Sequence, residues 1–329
     1  MTVLIDSFGR VHNNLRISVT DRCNLRCTYC MPEDVTFLDR TELLSFEEMT
    51  AFTRIAVGQG INKVRLTGGE PLLRRDLPVL IRQLDQIAGL TDIGLTTNAV
   101  LLAQQAQALK DAGLHRLNIS LDTLDEDRFE QLTRRKALGL VLEGIAEAQR
   151  VGFTNIKINA VAIRGMIEHD AAPLANYCRD RGIELRFIEY MPIGAEEWER
   201  NKLVAAHEIL ELLEAQVSPL RPASNFDSNA PATEFEYLDG RGTIGIIASV
   251  TRPFCTKCNR LRLTAEGKLR NCLFSLNEID IKPLLRTQPM ETEPVISALH
   301  DCVRSKWAGH DINSAKFVKP LRTMHAIGG

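Results

Sequence analysis

The sequence has no long apolar run and no excess of positive charge. Its 329 residues carry a net charge of -2 at a pI near 6.4. A general nucleic-acid or membrane-surface binder is usually clearly basic. Apolar stretches such as Ile244–Val250 are far shorter than the roughly 20 residues of a membrane span, and Asp6 and Arg10 interrupt the N-terminal apolar residues. These absences predict a cytoplasmic protein that binds neither nucleic acid nor membranes.

Cysteines are few, and most of them are grouped. In a reducing compartment such cysteines indicate metal ligation rather than disulfides. Cys178 and Cys302 stand alone in helical segments, where we expect buried structural thiols. The other six form two groups of three, namely Cys23, Cys27 and Cys30, and then Cys255, Cys258 and Cys272.

Strand and helix signals alternate through the first two-thirds of the chain. A capping box, Ser45 with Glu48, opens one helix, and Gly113 closes another. Such repetition predicts parallel strands joined by helical crossovers. Six units in this length are too few for an eight-fold barrel of about 250 residues, so we predict an incomplete (βα)6 TIM-like barrel, with an open doubly wound sheet as the alternative. The predicted strands are Leu15–Val19, Lys63–Thr67, Asp92–Thr96, Arg116–Ser120, Lys157–Val161 and Glu184–Ile188.

A change in composition divides the chain. Residues 218–232 contain three prolines with Ser and Asn, which predicts a linker or covering loop. The predicted barrel domain is therefore 1–217, and residues 233–329 form a C-terminal region. Three short antiparallel strands and a final helix are predicted there, at Glu234–Leu238, Thr243–Ile247, Arg260–Thr264 and Pro294–Lys306.

The first cysteine group follows the first predicted strand directly, with the spacing C-x3-C-x2-C. In a barrel that loop lies at the C-terminal face, where active sites are built. Three thiolates in eight residues suit a [4Fe–4S] cluster, which needs four ligands, so one iron is left open. A structural zinc with a distant fourth ligand is the alternative.

The second group also has three cysteines and no obvious fourth. A second [4Fe–4S] cluster is the favoured interpretation, and zinc completed by His300 or His310 is the alternative. Arg260 and Arg262 share one face of a predicted strand beside these cysteines. They predict an anion site, because guanidinium groups match phosphate oxygens; an exposed salt-bridged edge is the other possibility.

The segment CNLRCTYC, with an aromatic residue before its last cysteine, resembles the signature of radical S-adenosylmethionine (SAM) enzymes. The segment Thr67–Pro71, TGGEP, matches the glycine-rich segment of that superfamily. The resemblance implies that SAM binds the open iron and yields a 5′-deoxyadenosyl radical, so no side chain is assigned as a catalytic acid or base. It also implies four cofactor-binding residues, Tyr29, Gly69, Ser120 and Met191.

The segment PFCTKCNRLRLTAEGKLRNCLF resembles the C-terminal motif of the GTP 3′,8-cyclases of molybdenum cofactor biosynthesis, and the likeness continues from about Phe8 to the terminal Gly328-Gly329. It implies a lyase with two [4Fe–4S] clusters that converts GTP to (8S)-3′,8-cyclo-7,8-dihydroguanosine 5′-triphosphate. In that family the glycine tail projects into the active site. The implied GTP ligands are Arg16, Arg65, Thr96, Lys157, Arg260, Leu261 through its backbone, and Arg262.

The same resemblance implies partners: an electron donor of the flavodoxin or ferredoxin type, a second copy in a homodimer, and hand-off to cyclic pyranopterin monophosphate synthase. Three alternative functions remain. The protein could be another two-cluster radical SAM enzyme, such as one that matures a peptide, or an iron–sulfur electron carrier. It could also be a nucleic-acid binder stabilised by zinc, which the pI disfavours. Residues 132–138, LTRRKAL, match no pattern, and we predict no function for them.

Overall fold

The six predicted strand–helix units are present in the computed structural model, which describes residues 3–193, 198–224 and 230–328. Each observed strand agrees with its predicted counterpart to within a residue at either end. The predicted incomplete (βα)6 barrel is confirmed. Its strands are β1 Asn14–Ser18, β2 Lys63–Thr67, β3 Asp92–Thr97, β4 Arg116–Ser120, β5 Ile156–Ala162 and β6 Glu184–Glu189.

Helices connect these strands and cover their outer face. The predicted capping box is present: Ser45 Oγ accepts from the amide of Glu48, and the Glu48 carboxylate accepts from the Ser45 amide. The barrel helices are α1 Phe46–Gly58, α2 Leu77–Asp85, α3 Leu102–Asp111, α4 Glu126–Thr133, α5 Leu138–Arg150 and α6 Ile167–Arg181. Four further helices follow, α7 Ala206–Gln216, α8 Lys282–Arg286, α9 Thr292–Arg304 and α10 Met324–Ile327.

Helix α6 contains a proline, Pro173, in its interior. Proline has no N–H to donate to the preceding turn, and this normally disfavours a helix interior. Here the apolar face of α6, which includes Ala171, Leu174 and Cys178, is buried in the core. Tertiary packing therefore offsets the missing backbone hydrogen bond.

The C-terminal strands extend the barrel sheet at both edges. The remaining strands are β7 Leu220–Pro222, β8 Thr233–Tyr237, β9 Thr243–Ile247, β10 Arg260–Leu263, β11 Lys268–Arg270 and β12 Ile279–Asp280. The sheet order is β12-β11-β10-β1-β2-β3-β4-β5-β6-β9-β8-β7. The predicted antiparallel pairs exist, but β9 also pairs in parallel with β6, and β10 with β1. The prediction of antiparallel strands is confirmed, and the additional parallel pairs form because β9 and β10 each join a barrel edge whose direction is already set.

The predicted linker 218–232 contains strand β7, which pairs with β8. Residues 225–229 of that segment, and Gly329 of the terminal pair, lie outside the described residues. Since β7 to β12 belong to the barrel's own sheet, the boundary at 218–232 stays a prediction. None of the described helices is long and apolar enough to cross a membrane.

The two faces of the barrel strands differ in chemistry. Along β1, Leu15 and Ile17 point outward and are fully buried against the helices, while Arg16 points inward. The same alternation in β2 to β6 and β10 places polar side chains on the inner face. A packed core therefore surrounds the sheet, and its concave interior is polar.

Candidate functional site

A cavity of about 450 Å³ occupies this polar interior and brings both cysteine groups together. Of the predicted site residues, Leu261 alone has a side chain that does not line it; that side chain is fully buried in the core. Its role was predicted for the backbone, and β10 does run beside the cavity. The predicted residues that line it are Cys23, Cys27, Tyr29, Cys30, Gly69, Ser120, Met191, Arg16, Arg65, Thr96, Lys157, Cys255, Cys258, Arg260, Arg262 and Cys272.

Two glycines after β2 allow close packing against the loop that bears the first cysteines. The Gly69 amide donates to the Thr20 carbonyl at 2.8 Å. A Cβ atom on Gly69 would come within 2.4 Å of the Arg22 carbonyl oxygen, and one on Gly68, whose φ is +155°, within 2.4 Å of that of Thr20. These glycines therefore fix the path of the chain that leads into Cys23.

Residues 132–138, for which the sequence predicts no function, support the same loop. The Arg26 amide donates to the Thr133 carbonyl at 2.9 Å, and the Thr28 amide donates to the Leu132 carbonyl at 3.0 Å. Arg135 donates to the Glu33 carboxylate at 2.9 Å just beyond the loop. The end of α4 thus holds the chain between Cys23 and Cys30 in place. No sequence pattern predicted this contact.

Glu70 is a site residue that sequence reasoning missed. Its fully buried carboxylate accepts from the Thr97 hydroxyl and the Asn98 amide, both at 2.7 Å. Burial raises the pKa of Glu70 to about 7, although these hydrogen bonds oppose the shift. Asn98 Nδ2 lies 3.7 Å from Cys23 Sγ. The carboxylate therefore ties the ends of β2 and β3 together beside the first cysteine group.

The Tyr29 hydroxyl donates to Asp122 Oδ2 at 2.8 Å, and Asp122 Oδ1 accepts from the Val161 amide at 2.7 Å. Burial raises the pKa of Asp122 to about 6. Asp122 was also missed, because its partner Tyr29 lies far away in sequence. Through these two bonds the ring of Tyr29 is fixed relative to β5.

The two cysteine groups have different electrostatic surroundings. Burial raises the pKa of Cys23 to about 11 and that of Cys30 to about 12. Burial also acts on the Cys258 thiol, but the cations of Arg260 and Lys306 outweigh it and bring its pKa down to about 6. Cys258 is therefore the cysteine whose pKa neighbouring cations bring down despite burial.

Three arginines lie side by side on adjacent parallel strands. The Cα atom of Arg16 on β1 is in register with that of Arg262 on β10 and that of Arg65 on β2. Within residues 3–193, 198–224 and 230–328, no carboxylate forms an ion pair with any of the three. Burial, together with the neighbouring guanidinium groups, lowers the pKa of Arg65 and Arg262 to about 9 and that of Arg16 well below its usual value. Such an array lacks an anion.

Lys157, by contrast, is already paired. Its Nζ lies 2.5 Å from Glu184 Oε2, and Arg186 contacts the same carboxylate as well as Glu234 Oε1, the latter at 3.0 Å. The expectation that Lys157 faces the cavity is met, but its charge is not free. Sequence reasoning missed several polar residues that line this part of the cavity, namely Lys63, Arg116, Asn118, Asn159 and Arg186. The sequence feature that could have identified them is their alternation with apolar residues, which places them on the inner face of each strand.

The two histidines considered for zinc differ in position. His310 lines the cavity and packs on Phe274, with ring centroids 4.7 Å apart. His300 instead lies 3.1 Å from the Gln59 side-chain oxygen, and it does not line the cavity. In the part of the chain that the structure describes, no set of three or more Cys, His, Asp or Glu side chains is gathered closely enough to hold a single metal ion. Cys178 and Cys302 are buried, as predicted.

Comparison with known proteins decides the family. The Radical SAM superfamily model matches residues 17–178, and the Molybdenum Cofactor Synthesis C model matches residues 183–312. A GTP 3′,8-cyclase of Rhodopirellula baltica is 47% identical, over 99% of this chain and 92% of its own length. One from Listeria monocytogenes serotype 4b is 46% identical over the full length of both chains. The chain belongs to the GTP 3′,8-cyclase family.

Solved structures show the fold at lower identity. Streptococcus suis SuiB bound to S-adenosylmethionine superposes with a TM-score of 0.64 at 15% identity, covering 96% of this chain and 78% of that one. An anSMEcpe structure with bound AdoMet gives a TM-score of 0.58 at 15% identity, over 88% of this chain and 82% of the other. The cyclase chain therefore shares its barrel with distant radical SAM proteins.

Proposed function

We infer that the protein is a lyase that converts GTP to (8S)-3′,8-cyclo-7,8-dihydroguanosine 5′-triphosphate in molybdenum cofactor biosynthesis. Family membership over the whole chain supports this activity. The observation that carries the substrate class is the row of Arg262, Arg16 and Arg65, which have no carboxylate partner among the described residues and share a cavity with both cysteine groups. A triphosphate supplies the anion that this row lacks.

The donor sets fit two iron–sulfur clusters. All six cysteines are free thiols, half-buried, and reach the same cavity, and three thiolates in each group leave one coordination position for another ligand. When bound, a reduced cluster supplies the electron that cleaves SAM to methionine and a 5′-deoxyadenosyl radical. We assign one [4Fe–4S] cluster to Cys23, Cys27 and Cys30 and the second to Cys255, Cys258 and Cys272.

SAM is assigned to the region around the first cysteine group. Tyr29, Gly69, Ser120 and Met191 line the cavity there, and they come from four different strand ends or loops. The hydrogen bond from Tyr29 to Asp122 orients the ring, and the close backbone packing at Gly69 leaves its peptide facing the cavity. These residues bind and orient the cofactor; none of them transfers a proton.

GTP is assigned to the space between the two groups. The arginine row and Arg260 bind the triphosphate, together with Thr96 on the neighbouring strand β3 and Lys157 on β5, and the Leu261 backbone lies at the base side. The guanine then lies against the second cysteine group, and the ribose faces the first. This arrangement would let the adenosyl radical take the C3′ hydrogen, giving 5′-deoxyadenosine, and let C3′ bond to C8 of the same nucleotide. The nucleotide radical that results would take up one electron, supplied by the electron donor, and one proton to give the 7,8-dihydro product.

Three partners belong to the proposal. Cleaving SAM consumes an electron, so a one-electron donor of the flavodoxin or ferredoxin class must reach the clusters. We also propose a homodimer and delivery of the cyclic product to cyclic pyranopterin monophosphate synthase. Size-exclusion chromatography with light scattering tests the dimer directly, and a chain that elutes only as a monomer would remove it.

The test of the activity is anaerobic reconstitution followed by iron and sulfide counting. About eight irons per chain are expected, and about four in the C255A/C258A/C272A variant, which should still cleave SAM. Incubation with SAM and each of the four nucleoside triphosphates should give a cyclised product from GTP alone. Zinc at the second group under iron-replete conditions would refute the two-cluster assignment. SAM cleavage without any nucleotide product would favour the peptide-maturing alternative.

A further inference from the structure

The C-terminal end of α9 and the residues after it, 302–308, are tied to all three cysteines of the second group. Asn271, next to Cys272, donates from Nδ2 to the Cys302 carbonyl and to the Ser305 hydroxyl, both at 3.0 Å. Lys306 Nζ lies 3.4 Å from Cys258 Sγ. This segment is therefore built around the second cysteine group.

Arg10 completes the arrangement from the N-terminal side. Its guanidinium donates to the Cys255 carbonyl at 2.7 Å and to the Trp307 and Ala308 carbonyls at 2.6 and 2.9 Å. Asp6 holds the same guanidinium through a buried ion pair at 2.5 Å. The position of Lys306 is consequently fixed by contacts on both sides of it.

Lys306 is unusual for a lysine because it is buried, with only 5% of its surface exposed. Its ammonium donates to the Arg260 carbonyl at 2.9 Å and to Cys258 Sγ, and no described carboxylate pairs with it. Burying an unpaired ammonium is costly, so such a group needs a nearby negative charge. The thiolates of Cys258 and Cys272 are the anions within its electrostatic reach.

Among the described residues, no lysine ammonium contacts a sulfur atom of the first group. Cys23 Sγ lies near the neutral amide of Asn98, and the Arg26 guanidinium donates to the Cys23 carbonyl at 2.7 Å rather than to the sulfur. The Glu70 and Asp122 carboxylates also lie near this group. A positive charge near an iron–sulfur cluster stabilises its reduced, more negative state and raises its reduction potential. The two sites therefore differ in whether a buried ammonium contacts a cysteine sulfur.

We propose that Lys306 is the counter-ion of the second cluster, a positioning residue that holds Cys258 and makes this cluster more easily reduced. The inference rests on the proposed second cluster. Lys306 acts through the cluster ligand and the Arg260 carbonyl, without touching GTP or SAM. Its ammonium offsets the negative charge that an electron adds to the cluster.

The experiment compares K306M, K306R and K257M in the full-length, anaerobically reconstituted protein. Lys257 is a matched control, since it adjoins Cys258 in sequence but is exposed. Midpoint potentials are measured by EPR-monitored redox titration, and the second cluster is identified by the signal that the C255A/C258A/C272A variant lacks. In K306M the second potential should fall by about 59 mV or more, a tenfold change in the one-electron equilibrium constant. K257M and K306R should stay near the wild type, and the first cluster should not change.

Loss of about four irons in K306M, with the melting temperature and first cluster retained and with recovery in K306R, would also support the proposal. An unchanged second potential in fully loaded K306M would overturn the role of Lys306 while leaving the proposed function intact. Equal loss of iron and melting temperature in K306M and K306R would reduce Lys306 to a packing role and overturn the proposal. A wild-type protein with only four irons would overturn the second cluster itself, and the counter-ion role with it.

Discussion

Arg262 and Gly328 are joined by a hydrogen bond: the Arg262 guanidinium donates from Nη1 to the Gly328 carbonyl oxygen at 2.7 Å. Gly328 ends α10 with a φ of +83°, and a Cβ atom there would lie 2.8 Å from both Ser18 Cβ and Thr67 Oγ1. The tail is thus seated against the C-terminal ends of β1 and β2. It reaches one of the three arginines that the proposed triphosphate needs.

A G328A variant tests the role of this contact. The added methyl group should push the tail away from β1 and β2 and release Arg262. We expect cyclised product per deoxyadenosine to fall about tenfold, the effect of losing a charge-assisted hydrogen bond of about 1.5 kcal/mol, with both clusters retained. Gly240 has a φ of +74° and open space around it, so G240A is the control for backbone strain alone. Equal product ratios in G328A, G240A and the wild type would mean that the tail is dispensable.

Removing Arg16 from the arginine row should affect stability and affinity in opposite directions. In R16M the nucleotide-free protein loses a half-buried charge between two like charges, so its melting temperature should stay level or rise. GTP affinity should fall ten- to a hundred-fold, about 1.5–3 kcal/mol, by isothermal titration calorimetry. R75M changes a side chain that is 94% exposed and should alter neither quantity. If R16M lowers stability and leaves GTP affinity intact, the row is structural.

The pair of Tyr29 and Asp122 can be tested with a double-mutant cycle. Y29F and D122N remove the same hydrogen bond, so each should weaken SAM binding by about fivefold, or ~1 kcal/mol. The Y29F/D122N double variant should be no weaker than either single variant. Equilibrium dialysis with the reconstituted protein measures all four affinities. Fully additive losses would show that Asp122 does not act through Tyr29.

His12 should make the protein sensitive to mild acid. It is fully buried, and burial together with the Lys306 ammonium lowers its pKa to about 4 from the ordinary histidine value of 6.5. Because the unfolded chain takes up this proton first, folded stability is lost as the pH falls from about 6.5 towards 4. Between pH 7 and 5.5 the wild type should lose about 1 kcal/mol more than H12N in chemical denaturation. H207N replaces an exposed histidine and should follow the wild type; a parallel decline in H12N would exclude His12 as the source.

Much of the site was visible in the sequence because its residues lie next to one another or at fixed intervals. The spacing of Cys23, Cys27 and Cys30 indicates the ligand set, and the alternation in Arg260-Leu261-Arg262 indicates a shared face. Period-two and helical patterns likewise identified β1 to β6. These features depend on local backbone geometry, which a single sequence records.

The remaining contacts depend on the strand order and curvature of the whole sheet. Thr133 meets Arg26, Asp122 meets Tyr29, and Glu184 pairs with Lys157, and these pairs are separated by tens of residues or more. Their partners are selected by strand order and register, which periodicity does not contain. The parallel pairing of β9 with β6 and of β10 with β1 was not predicted for the same reason.

The sequence by itself determined the two sets of three thiol ligands, the six repeating units and the cationic residue types. Only the tertiary structure decided that Lys157 is paired while Arg16 has no carboxylate partner among the described residues. It also decided that Lys306 is buried against Cys258 and that Gly328 reaches Arg262. The physical reason is that charge and coordination act through space. The sequence states the chemical type of each residue, but its electrostatic partners come from every strand and helix end that the fold brings to the same cavity.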